Sequence, residues 1–196
     1  RIEEAFQTLA RQGSIRGRFR VARGNVRTEI QSAAQDADVL IVGRAGWSPV
    51  RRRRLGSTAR AACSGDAPGV TVILREGERI VAPVLVVYDG SALGDHALDI
   101  SVALVERLGH PLTVLLLADR SAQIEALRER ATAHLHLYGV IRRYLVLVAP
   151  SVSAIGEAIR GFGAGTLVLP AKLASFNGEV TLGLIEAVEL PVLLVR

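Results

Sequence analysis

The sequence predicts an α/β protein made of two tandem units, each built on a parallel sheet. Three observations carry that expectation. Short apolar runs alternate with helical stripes along nearly all of the 196 residues. Runs such as 84–87 are continuously apolar, as parallel strands covered on both faces are. Residues 25–75 and 151–196 repeat one pattern, with the longer loop in the first copy. Strict alternation of this kind implies right-handed crossovers and a parallel sheet.

In order along the chain, residues 3–12 place Ala5, Phe6, Leu9 and Ala10 on one helical face, and Gly13 ends it. Residues 15–22 alternate Ile15, Gly17, Phe19 and Val21 with Arg16, Arg18 and Arg20, which predicts a strand with one polar face near a sheet edge. Asn25 is placed to cap a helix carrying Val26, Ile30, Ala33 and Ala34 and ending near Asp36. A strand over 39–42, a glycine-bearing loop, a helix over 57–64, a break at 65–69 and a strand over 70–74 follow. The charged run Glu76, Gly77, Glu78, Arg79 marks the boundary between a unit at 1–79 and a unit at 80–196. The second unit opens with the strand at 84–87. Leu93, Ala97, Ser101, Leu104 and Leu108 then mark a helix stopped by Gly109 and Pro111. A strand over 112–117 leads to a helix with Ile124, Leu127, Ala131, Leu135 and Tyr138, stopped by Gly139. Next come a strand over 144–148, a Ser151-capped helix with Val152, Ile155 and Ile159, a strand over 167–169, a helix over 179–188 and a strand over 192–195. The second unit thus has five strands and four helices, and the first is incomplete at its N-terminus.

Composition narrows the class. Hydrophobic residues make up 49% and aromatics only 4%, so the core is aliphatic, and the mean hydropathy is +0.32. No apolar run approaches the roughly 20 residues of a membrane span, and no stretch has the pattern of a signal peptide. A cytoplasmic protein is the expectation. The single cysteine, Cys63, cannot form an internal disulfide, which fits a reducing compartment. The net charge of +5 comes almost wholly from arginine, concentrated at Arg51, Arg52, Arg53 and Arg54, and is compatible with anionic ligands. No aromatic residues interleave those arginines as a stacking platform, which argues against a nucleic-acid surface. The chain contains no methionine and starts at Arg1, so it is expected to be a piece of a longer polypeptide.

The apolar run Val39, Leu40, Ile41, Val42 ends at Gly43. Gly46 follows after two residues, and Gly56 and Ser57 after nine more, at a helix start. Glycine lets backbone N–H groups turn toward one point. A helix start adds unpaired N–H groups and a positive dipole end. Together they make an anion cradle, whose usual occupant is a phosphate chain. The spacing G-x2-G-x9-G-S is neither a Walker loop nor a G-x-G-x-x-G fingerprint. It resembles the nucleotide-binding motif of the universal stress protein (UspA-like) family, with Gly43, Gly46, Gly56 and Ser57 at the motif positions. A second stretch, PVLVVYDGSALGDHAL at 83–98, resembles the opening of a unit of that family, where a strand ends in Asp89, Gly90 and Ser91 before a helix.

This resemblance covers nearly the whole chain. It implies the tandem-domain type: two Rossmann-like units with parallel five-stranded sheets of order 3-2-1-4-5. It also implies ATP at the carboxyl ends of strands 1 and 4, and a homodimer often formed through the last strand. The cofactor-binding residues it implies are Gly43, Arg44, Gly46, Gly56, Ser57 and Thr58, with Asp89 in the second unit. The Ser57 and Thr58 hydroxyls could add hydrogen bonds or reach Mg2+. Asp89 reads equally well as a turn residue capping the next helix. In the second unit Pro170 and Leu173 replace the first two glycines, and Glu179 brings a negative charge to the phosphate position. Pro170 has no N–H to donate, so that unit is expected to bind ATP poorly or not at all. In the first unit, the loss of strands 1 and 2 separates strand 3 from strand 4, so residues 1–79 need missing sequence or a partner's strand.

Trp47 reads as a loop-packing or interface residue, Cys63 as a small core residue, and His96 and His110 as surface histidines. His134 and His136 are two apart and make a poor metal pair on a helix. No Ser/His/Asp or Cys/His arrangement and no paired carboxylates stand out, so no catalytic apparatus and no metal site are expected. The leading expectation is a nucleotide-binding regulatory module, not an enzyme. A weak ATPase is one alternative. Another is a non-nucleotide interaction module or the tail of a larger protein such as a transporter.

Overall fold

The computed structural model of the chain describes residues 2–35, 37–45, 55–64, 69–174 and 178–196. Gly46, Trp47, the four arginines at 51–54, the break at 65–68 and the Glu179 side chain lie outside them. The described elements are α1 (Ile2–Gln12), α2 (Val26–Ala34), β1 (Val39–Gly43), α3 (Ser57–Ser64), β2 (Val70–Leu74), β3 (Val84–Tyr88), α4 (Ala92–Leu108), β4 (Leu112–Ala118), α5 (Ile124–His136), β5 (Arg142–Val148), α6 (Val152–Phe162), β6 (Thr166–Pro170), α7 (Gly178–Ala187) and β7 (Val192–Val195). A short 3-10 turn, Ser121–Gln123, precedes α5.

Local chemistry sets the boundaries. The Asn25 side chain accepts N–H groups of Arg27 and Thr28 at the start of α2. Ser91 and Ser151 cap α4 and α6 by accepting the N–H groups of Gly94 and Ala154. Gly109 and Gly163 end those helices with φ of 66° and 69°, the left-handed conformation a side chain resists.

Seven strands form one sheet in the order β1-β2-β7-β6-β3-β4-β5. All neighbours run parallel except β2 and β7, which pair antiparallel from Val70↔Val195 to Ile73↔Val192. The five strands of the second unit stand in the expected order 3-2-1-4-5, but the incomplete first unit forms no sheet of its own: its two strands join the edge of that sheet to make a single, mostly parallel one. The reason is visible in the strands at the join. VTVIL of β2 and VLLV of β7 are apolar on both faces, and a strand edge left open would expose a row of unpaired N–H and C=O groups. Arg196 fastens the join. Its guanidinium donates to Thr71 Oγ1 at 2.8 Å and to the carbonyls of Ala62 and Cys63 at 2.7 and 2.8 Å, at the end of α3. Each joining strand has a neighbour on both sides, so neither offers a free edge to a second copy.

The sheet is covered on both faces, and each apolar cluster draws on both halves of the chain. On one face Leu55, Ala59, Ala62 and Ile73 pack with Ile155, Ile159, Leu184 and Ile185. On the other Val70 and Val72 join Leu98, Val102, Ala131, Leu135 and Leu193. β3 and β4 are buried throughout. β1 is an outer strand, and its Val39 and Ile41 are 50% and 66% exposed.

Residues 15–22 correct a second expectation. They form no strand, and Ile15 and Val21 are exposed. Alternation specifies only which face a strand would bury. The ladder itself needs a neighbouring strand, and among the described residues none lies beside this segment. Phe19 instead meets Phe6 of α1, ring centres 5.8 Å apart.

Candidate functional site

The carboxyl end of β1 carries the candidate loop. Gly43 is the last residue of β1 and pairs with Leu74. Among the described residues the nearest atom to a Cβ built on it would be the Ala45 carbonyl oxygen at 3.8 Å, so their packing does not demand glycine there. Gly46 lies outside the described residues.

The next residue closes the loop from within. The Arg44 N–H donates to the Leu74 carbonyl at 2.6 Å, and the Arg44 carbonyl accepts the Gly56 N–H at 2.9 Å. Gly56 is thereby used inside the loop, and the first turn of α3 offers further donors. Ser57 and Thr58 open that helix and are exposed, with N–H groups that have no intrahelical acceptor. The Arg44 side chain turns away from solvent and is 2% exposed. It donates through Nη2 to the Ile185 carbonyl of α7, while Nε and Nη1 are buried with no partner. Burial, and then the charge of Arg75, push its guanidinium below the ordinary arginine range.

Asp89 belongs to a different place. β1 runs parallel to β2, β2 antiparallel to β7, and β7 parallel to β6 and through it to β3. The carboxyl ends of β1 and β3 therefore lie on opposite edges of the sheet. The structure gathers Gly43, Arg44, Gly56, Ser57 and Thr58 on one edge and leaves Asp89 on the other. The Asp89 carboxylate is already satisfied: Oδ1 accepts the Ser91 N–H at 3.0 Å and the Ser91 hydroxyl at 2.6 Å, and Oδ2 accepts the Ala174 N–H at 2.6 Å. The Ala171 N–H donates to the Val195 carbonyl at 2.8 Å, and Leu173 is 2% exposed. In the loop after β6 the N–H groups of Ala171 and Ala174 are thus taken, and Leu173 packs into the core. No sequence signal marked Ala174 as the partner of Asp89, because the two are 85 residues apart.

The other polar groups hold helices to the sheet or to each other. The Tyr88 hydroxyl donates to Asp95 Oδ1 at 2.8 Å, and Arg130 pairs with Asp95 Oδ2. Burial and that hydrogen bond push the Tyr88 hydroxyl up. His134 Nε2 lies 2.6 Å from Asp99 Oδ1, and the Tyr138 hydroxyl donates to the same oxygen, which ties α5 to α4. Among the described residues no group of His, Cys, Asp and Glu is placed to hold a metal ion, and no helix is long and apolar enough to cross a membrane. Two surface grooves lie elsewhere, one by Asp38, Val39, Gly69 and Val70, the other by Arg160, Glu186 and Leu190.

Cys63 packs partly buried against the core behind the loop. Burial pushes its thiol from 9.0 up to about 11. The thiolate is therefore scarce at pH 8, and alkylation of the native protein at that pH is expected to be at least about tenfold slower than in denaturant. As pH rises above 9 the unfolded thiol ionises first, so this group withdraws stability between 9 and about 11. Equal alkylation rates in the two states would contradict the burial.

No family model and no curated protein match the chain. Solved structures do. A universal stress protein from Archaeoglobus fulgidus DSM 4304 aligns over 99% of this chain and 75% of its own, at 19% identity and a TM-score of 0.78. A universal stress protein in complex with cAMP aligns over 58% of this chain and 94% of its own, at 23% identity and a TM-score of 0.50. The universal stress protein from Archaeoglobus fulgidus in complex with dAMP aligns over 60% and 100%, at 16% identity and a TM-score of 0.50. Strand order, the glycine-bearing end of β1 and these likenesses agree: the chain has the fold of the universal stress proteins, the family its two sequence motifs resemble.

Proposed function

We propose that the chain is a cytoplasmic nucleotide-binding regulatory module of two tandem units, at 1–79 and 80–196, and that it holds one adenine nucleotide, ATP, at the carboxyl end of β1. The observation that carries the reading is the space at Gly43, which no described residue fills, beside first-turn N–H groups of α3 that no described residue accepts. The phosphates would lie on the N–H groups of Ser57 and Thr58, with the two hydroxyls adding hydrogen bonds or reaching Mg2+. Universal stress proteins solved with cAMP and dAMP support an adenine nucleotide as the ligand class. The tandem reading is supported by the equivalence of β1-α3-β2 and β6-α7-β7, whose last strands pair with each other. Among the described residues of the site there is no base or water-positioning group, and in this reading the signal is occupancy and not turnover.

The second loop does not share the task. It is closed by Ala174 on Asp89 and by Leu173 in its centre. Asp89→Ala is accordingly expected to leave the affinity for ATP with Mg2+ within about twofold of wild type, measured by equilibrium dialysis. A tenfold loss would move the site to the β3 edge and overturn the assignment.

A further inference from the structure

Arg44 and Ala171 occupy equivalent places in the two halves. Each follows its strand, and each donates its N–H to the last strand of its half, Arg44 to Leu74 and Ala171 to Val195. A methyl group therefore suffices for the fold at this position. The first half nonetheless buries a guanidinium there, with Nε and Nη1 unpartnered, an arrangement that opposes stability. Its one described hydrogen bond goes to the Ile185 carbonyl, 141 residues away in α7. The Arg60–Glu186 pair on α3 and the Arg75–Glu189 pair after β2 hold the same region of the later half from its surface. Those pairs place no charge in the interior. Leu55 packs with Leu184 and Ile185, but among the described residues the hydrogen bond from the loop to α7 is made by Arg44, whose carbonyl also holds the Gly56 N–H one residue before α3 begins.

We propose that Arg44 is a positioning residue: it fastens the paired backbone of Arg44 and Gly56 to the last turns of α7, so that contact with the later half of the chain sets the donors of Ser57 and Thr58. It touches no ligand. The inference rests on the nucleotide reading only for the identity of what those donors hold.

Amide hydrogen exchange of the nucleotide-free protein tests it. A packing role alone makes global stability and local protection fall together. A positioning role separates them, because an apolar side chain of similar length removes the unpaired charge and breaks the link. Arg44→Met is expected to melt no lower than wild type, yet to exchange at least about tenfold faster at Gly56, at Arg60, whose N–H the Gly56 carbonyl accepts, and in the last turn of α7. Arg44→Lys keeps one donor for the Ile185 carbonyl and is expected to restore protection at both places. Wild-type exchange at either place in Arg44→Met, a lowered melt with protection lost throughout, or no rescue by lysine would each overturn the proposal. ATP with Mg2+ is then added to all three proteins. It is expected to slow exchange in the last turn of α7 in wild type and Arg44→Lys but not in Arg44→Met. Absence of any ATP effect in wild type counts against the nucleotide reading, and the nucleotide-free comparison still decides the role of Arg44.

Discussion

Gly43→Val is expected to weaken ATP binding by at least about 100-fold while the thermal midpoint moves by no more than about 2 °C. The two halves of that expectation come from one observation. Among the described residues the nearest neighbour of a Cβ at Gly43 is the Ala45 carbonyl oxygen at 3.8 Å. The residue ends a strand and is exposed, so a β-branched side chain suits the backbone and disturbs no core. The same methyl groups fill the cradle and hold a phosphate away from the α3 donors. Losing two or three charge-assisted hydrogen bonds of that kind costs about 3 kcal/mol or more. Unchanged affinity would mean that the loop is a structural connection. A large drop in midpoint would mean that Gly43 serves the fold instead.

Ile73→Ala is expected to lower stability by about 3 kcal/mol and the midpoint by about 6–12 °C, with unfolding still a single transition. Ile73 is fully buried in β2 and sits opposite Val192 at the antiparallel join. Deleting its side chain opens a cavity between α3 on one side of the join and the α6 and α7 residues on the other. Because both apolar clusters take residues from both halves, neither half keeps a complete core when the join weakens. Urea denaturation followed by circular dichroism and by hydrogen exchange in β2 and β4 measures this. Two separated transitions would show that the halves fold independently.

The reach of the sequence differs from element to element. β3 could be read from VLVVY because a strand buried on both faces needs no polar position. α4 and α6 could be read because serine at the start and glycine at the end are chemical signals local to the helix. Residues 15–22 have an equally regular pattern, but their strand would depend on a neighbour, and no local signal reports whether one exists. The antiparallel pairing of β2 with β7 was hidden for the same reason: an apolar strand states that it is buried, not which edge it meets.

The site divides similarly. Gly43, Gly56 and Ser57 were legible as neighbours because a strand end and a helix start at that spacing can close on each other, as the bond between Arg44 and Gly56 does. Arg44 was legible as a member of the loop but not as a buried residue. An arginine beside glycines reads as solvated, and its partner carbonyl belongs to Ile185. Asp89 was read in the second unit, equally as a turn residue and as a ligand contact, and its bonds from Ser91 fit the turn. The reversal of direction at the join is what puts it on the other edge.

Calorimetric titration of ATP with Mg2+ into the intact chain tests the central claim most directly. The structure-based account predicts one molecule bound per chain, lost in Gly43→Val and kept in Asp89→Ala. No binding would remove the nucleotide site, and two molecules per chain would show that the loop closed by Asp89, Leu173 and Ala174 opens to a ligand after all.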